Sequence, residues 1–124
     1  MNFLYVDDNR LLLRFLEKYL RGKGHQCAIL HDTSKVINWL AMNSCDAVIL
    51  DIGMPKMNGI ELAALIRRSG YPDLPIIIFT SLGYDEESMT SCRKAGCNGY
   101  VSKGLGPSEI YGALMRVLEN TALK

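Results

Sequence analysis

Four short apolar runs of this chain each stop on a polar or charged residue. Phe3-Leu4-Tyr5-Val6 runs into Asp7 and Asp8, and Ala47-Val48-Ile49-Leu50 runs into Asp51. Ile76-Ile77-Ile78-Phe79 runs into Thr80, and Tyr100-Val101-Ser102 runs into Lys103. Continuous apolar runs of this length mark strands of a parallel sheet covered on both faces. In an open parallel sheet, chemistry sits outside the carboxyl ends of the strands. Three carboxylates, a hydroxyl and an ammonium are therefore expected at one edge of one sheet.

The runs alternate with helical periodicity. Leu11, Leu12, Phe15, Leu16, Tyr19 and Leu20 recur at i, i+4 spacing and are expected to make one buried stripe. Asn9 is its N-cap, and Gly22 and Gly24 are its stops. A weaker strand spans Gln26 to Leu30. Thr33 or Ser34 is expected to cap a helix carrying Val36, Ile37, Trp39 and Leu40. The segment Ile52-Gly53-Met54-Pro55-Lys56-Met57-Asn58-Gly59 is full of breakers and reads as a loop. A helix with Ile60, Leu62, Ala63, Leu65 and Ile66 follows and ends near Gly70. From Asp85 to Ala95 only Met89, Cys92 and Ala95 form an apolar face, so that helix is expected to be short and loosely held. Pro107 suits the first position of the last helix, whose stripe is Ile110, Ala113, Leu114, Val117 and Leu118.

Five strand–helix repeats predict an α/β fold: a five-stranded parallel sheet in the flavodoxin-like order 2-1-3-4-5, with helices on both faces. Strands one and three are then neighbours, and Asp7, Asp8 and Asp51 line the crevice between them. A length of 124 residues predicts a single domain over 1–124. A net charge of +1 gives no reason to expect nucleic acid or an anionic membrane as a direct partner. With no apolar stretch of spanning length and no signal-like start, a cytoplasmic location is the expectation. Cys27, Cys45, Cys92 and Cys97 form no C-x-x-C pair and read as small, mostly buried thiols.

Three carboxylates held close together repel one another unless some stay protonated or a divalent cation binds. Hard oxygen ligands at an open strand edge suit Mg²⁺. A cation flanked by the Lys103 ammonium and the Thr80 hydroxyl makes a cradle for a phosphoryl group. Asp51, alone at the middle of the sheet, is the candidate nucleophile for an aspartyl phosphate.

These segments, with Ala95-Gly96-Cys97-Asn98-Gly99 before the last strand, resemble the receiver domain of two-component response regulators over nearly the whole chain. The resemblance implies a phosphorylation-dependent signalling switch. Asp51 would accept a phosphoryl group from a sensor histidine kinase or a histidine phosphotransfer protein. Asp8 would bind Mg²⁺ directly and Asp7 largely through water, with Asp51 and the Gly53 backbone carbonyl completing the ligands. Lys103 would pair with the phosphoryl group, Thr80 would contact it and shift, and Tyr100 would swing inward in response. Catalysis would be limited to the domain's own phosphorylation from small donors and its own dephosphorylation. The further partners implied are an output domain or target protein, and a second copy through the last two strand–helix elements. Tyr111 and Met115, i, i+4 apart and off the core stripe, are expected to join Tyr100 in an exposed patch there.

The chain departs from the family pattern in three places. Gly104 follows Lys103 where proline is common, so Lys103 is expected to be held less rigidly. Gly53 leaves water access beside Asp51 less hindered, and Leu82 is apolar where a polar group can assist hydrolysis. Two other readings stand beside this one: a degenerate receiver used only for docking, and an aspartate-nucleophile phosphatase. The phosphatase needs a second acid two residues after the nucleophile, where this chain has Gly53. An FMN module on the same fold needs a phosphate loop where this chain has Asp7-Asp8-Asn9-Arg10.

Overall fold

Each apolar run forms a strand, and each strand leads into a helix that crosses back over the sheet. The computed structural model describes residues 1–81 and 86–122. The strands are β1 (Asn2–Val6), β2 (Gln26–Leu30), β3 (Ala47–Asp51), β4 (Ile76–Thr80) and β5 (Gly99–Ser102). They pair in parallel in the order β2-β1-β3-β4-β5, as expected. The helices are α1 (Arg10–Gly22), α2 (Val36–Met42), α3 (Gly59–Arg68), α4 (Glu86–Ala95) and α5 (Pro107–Ala122).

Strand alternation divides the core into two layers. Phe3, Tyr5, Ile49, Ile77, Phe79 and Val101 face α1 and α5, where Leu13, Leu16, Leu20, Ile110, Leu114 and Leu118 meet them. Leu4, Val6, Val48, Leu50, Ile76 and Ile78 face the other way, onto Val36, Leu40, Leu62, Ala63, Ile66 and Cys92 of α2, α3 and α4. Burial of each such large side chain stabilises the fold by about 1.5–3 kcal/mol.

Helix starts follow their caps. The Asn9 side chain accepts from the Leu12 N–H at 3.2 Å. Asn58 and Glu61 form a reciprocal capping box at the start of α3. Gly59, the first residue of α3, presses against the chain end of β3: a Cβ there would collide with the Asp51 carbonyl oxygen. This contact seats α3 directly on the residue that carries the candidate nucleophile.

Three sequence expectations need correction. In α1 the buried residues are Leu13, Leu16 and Leu20, while Leu11 and Phe15 are 82% and 55% exposed. Apolar residues occupy more of this helix than one stripe can bury, and those two fall on the side away from the sheet. Before α2, Thr33–Lys35 form a 3-10 turn capped by Asp32, whose carboxylate accepts from the Ser34 N–H at 3.0 Å. Neither Thr33 nor Ser34 is the cap. Tyr111 and Met115 do not share a patch with Tyr100. They pack on the α1–α5 layer, with the Tyr111 hydroxyl 2.7 Å from His25 Nε2, whereas Tyr100 packs on the opposite layer. The expectations for Leu82, for Asp85 and for the chain beyond Ala122 fall outside the described residues.

Candidate functional site

Asp7 directly follows β1, Asp51 ends β3, Thr80 ends β4 and Lys103 directly follows β5. Parallel pairing in register sets all four at the same edge: Asp51 lies across from Phe79, and Thr80 from Ser102. The ladder also runs on past the strands. The Asp7 N–H donates to the Leu30 carbonyl at 3.1 Å, and the Lys103 N–H donates to the Thr80 carbonyl at 2.7 Å.

The three acids converge. One carboxylate oxygen from each of Asp7, Asp8 and Asp51 lies within 4.8 Å of the others. Asp7 and Thr80 are fully buried and Asp51 nearly so, while Asp8 is exposed. The Lys103 ammonium bridges the buried pair, 2.7 Å from Asp7 Oδ2 and 2.9 Å from Asp51 Oδ1. It also lies over the Phe79 ring. Burial works against the charge on Lys103, but hydrogen bonds to Asp7 and Asp51 outweigh it and raise its pKa. Burial pushes the Asp51 carboxyl above its ordinary range; repulsion from Asp7 adds to this, and Lys103 opposes it. The Gly53 backbone amide, after Lys103, also acts to lower it.

Asp7 is saturated with donors. Its Oδ2 accepts from the Tyr5 hydroxyl at 2.7 Å as well as from Lys103, and its Oδ1 accepts from the Asn9 N–H at 2.9 Å. Tyr5 is fully buried, and burial together with the bond to Asp7 holds its phenol far above the usual tyrosine range. The sequence reading missed this residue, taking it for core. A signal was present: Tyr5 and Asp7 are two apart on a strand, so their side chains share a face.

Hydrogen bonds hold Lys103 at both its backbone and its ammonium, so the following Gly104 does not leave it loose. Tyr100 stands across from Ile78, and its hydroxyl is buried without a hydrogen-bond partner among the described residues. An orphaned buried hydroxyl costs about 1–3 kcal/mol, which packing of the ring against its layer must offset.

The donor set fits a hard divalent cation: carboxylate oxygens, one of them on an exposed residue, at an open edge. No helix among the described residues is long and apolar enough to cross a membrane.

Comparison with known proteins gives the family and the fold. The family model of the response regulator receiver domain matches residues 3–115. Among curated proteins, the response regulator MprA of Mycobacterium avium is 29% identical over 121 residues, covering 98% of this chain and 52% of that protein. The chain thus spans about half the length of the curated relatives it matches. Among solved structures, a putative response regulator from Chloroflexus aurantiacus is 28% identical with a TM-score of 0.86, covering 95% of this chain and 97% of the other. The chemotaxis protein CheY4 of Vibrio cholerae is 25% identical with a TM-score of 0.87, covering 94% and 97%.

Proposed function

The chain belongs to the response regulator receiver family, and we propose that it is a phosphorylation-dependent switch with Asp51 as the acceptor. The observation that carries this reading is the Asp51 carboxylate at the end of β3, clustered with Asp7 and Asp8 and bridged to Asp7 by Lys103. An Asp51 oxygen attacks the phosphorus of a phosphohistidine on a sensor kinase or phosphotransfer protein. The P–N bond breaks, and the imidazole leaves with the electron pair and takes up a proton.

Mg²⁺ would be held by Asp8, Asp51 and the Gly53 carbonyl, with Asp7 acting through water, and would neutralise charge on the phosphoryl oxygens. The exposure of Asp8, beside Asp7 oxygens that already accept three hydrogen bonds, supports this division. Lys103 moves its ammonium from the two aspartates to the phosphoryl group, and the Tyr5 hydroxyl keeps Asp7 Oδ2 partnered when it does. Thr80 donates its hydroxyl to the same group.

Charge-assisted hydrogen bonds contribute about 1.5–3 kcal/mol each, and reversing a strongly biased two-state equilibrium takes about 5.5 kcal/mol. Two bonds, from Lys103 and Thr80, are of that order. The responding elements are α4 and Tyr100, which stands beside β4 on β5. Exposed Leu11 and Phe15, one and two turns past the acidic pair, offer an apolar surface beside the site for a protein donor.

Incubation with Mg²⁺ and acetyl phosphate, read by intact mass, tests the reading. A single labile phosphoryl adduct, absent from Asp51→Asn, is expected. An adduct that persists in Asp51→Asn contradicts Asp51 as the acceptor; no adduct in the unaltered chain contradicts the switch and leaves the docking-only reading. Phe15→Ala should leave modification by acetyl phosphate unchanged and slow transfer from a protein donor.

A further inference from the structure

We propose that Cys92 and Cys97 are a redox-modifiable thiol pair that closes to an intramolecular disulfide across the end of α4. The backbone brings them together. The Gly96 N–H donates to the Arg93 carbonyl at 3.0 Å and the Cys97 N–H to the Cys92 carbonyl at 2.9 Å, with Gly96 at φ 97°. This is the Schellman helix stop, in which the side chains three residues before the cap and two beyond it pack on one another. In most proteins that contact is apolar; here both positions are cysteine, Cys92 buried and Cys97 half-buried.

A second feature holds the turn. Arg67 of α3 donates to the Gly96 carbonyl from both Nε and Nη2, at 3.1 and 2.7 Å, and from Nη2 to Asn98 Oδ1 at 3.0 Å. Burial pushes the Cys97 thiol up, and the guanidinium charge opposes this without overcoming it. A third feature is access: both cysteines line a cleft of ≈ 180 Å³ with Met89, Arg93 and Tyr100, room enough for a small oxidant. Cys27 in β2 and Cys45 ahead of β3 share no such turn.

The oxidant class is a two-electron acceptor such as hydrogen peroxide. The Cys92 thiolate attacks one peroxide oxygen, the O–O bond breaks, and water leaves after protonation, giving a sulfenic acid. The Cys97 sulfur then attacks the Cys92 sulfur, the S–O bond breaks, and a second water leaves. Two thiols are oxidised by two electrons, and one peroxide is reduced to two waters. Burial holds both thiols above their ordinary pKa, Cys97 up to about 12. The pair therefore reacts slowly at neutral pH, and its oxidation needs excess peroxide. The bond ties the last turn of α4 to the segment entering β5, three residues before Tyr100.

The sequence itself supplies a clean readout, because trypsin cuts after Arg93 and Lys94, between the two cysteines. The folded chain is treated with excess hydrogen peroxide, its remaining thiols are alkylated under denaturing conditions, and it is digested without reductant. Peptides 69–93 and 95–103 are expected as one species lacking two hydrogens, separated by reductant, with Cys27 and Cys45 alkylated. Cys92→Ser and Cys97→Ser should each abolish that species. In the oxidised chain, exchange of the Gly96 and Cys97 amides should slow by about tenfold or more. Recovery of all four cysteines alkylated, of a Cys27–Cys45 link, or of disulfide-linked dimers in place of the internal bond overturns the proposal.

Discussion

Helices α3 and α4 are ten residues each, lie side by side on the same face of the sheet, and are built in opposite ways. Four residues of α3 are buried (Gly59, Leu62, Ala63 and Ile66), its start is closed by the Asn58–Glu61 box, and its first residue abuts the Asp51 carbonyl. Of α4, only Cys92 is buried, and its outer surface is polar throughout. One helix is part of the frame that fixes the acceptor; the other rests on that frame by a single deep contact. A switch needs both: a rigid seat for the chemistry and an element whose position costs little to change. The buried thiol that anchors α4 is also the one that pairs with Cys97.

The largest expected contrast is in stability. Ile66→Ala in α3 should cost about 2–5 kcal/mol in denaturant unfolding, as for other fully buried aliphatic truncations. Cys92→Ala in α4 should cost about 1 kcal/mol. Equal losses would break the distinction between the two helices. Gly59→Ala comes next. Its Cβ must displace either α3 or the Asp51 carbonyl, so a loss of about 1–3 kcal/mol is expected, together with slower phosphorylation of Asp51. A loss of stability with no change in phosphorylation rate would show that α3 does not fix the acceptor.

The smallest effect has the opposite sign. Burial and Asp7 raise the Asp51 pKa, so its charged form is disfavoured in the fold. A carboxyl raised in this way favours the folded state below its unfolded pKa of about 4, and that contribution is lost as pH rises through the folded value. Asp51→Asn should therefore raise stability at neutral pH by on the order of 1 kcal/mol, since a neutral side chain is easier to bury. The gain should shrink as the pH is lowered toward 4, which thermal melts across that range would read.

The sheet order and the converging edge were legible because apolar runs ending on Asp, Asp, Thr and Lys encode both strand ends and site at once. The thin packing of α4 was legible for a similar reason: only Met89, Cys92 and Ala95 could face inward. Three features were not legible from periodicity. Leu11 and Phe15 are as apolar as Leu13 and Leu16, and only the docking angle of α1 decides which are covered. Tyr100 and Tyr111 fall on opposite layers because strand alternation, not helix spacing, sets where Tyr100 points. Tyr5 looked like core because it is core; its hydroxyl end belongs to the site.

The division of labour between the two helices is tested most directly by residue-resolved amide hydrogen exchange, before and after phosphorylation of Asp51. Exchange in α4, at residues 86–95, is expected to change by tenfold or more while the amides of α3 keep their protection, and Thr80→Ala should be phosphorylated with the α4 response largely lost. A response spread equally over α3 and α4, or an α4 response undiminished in Thr80→Ala, would contradict the account.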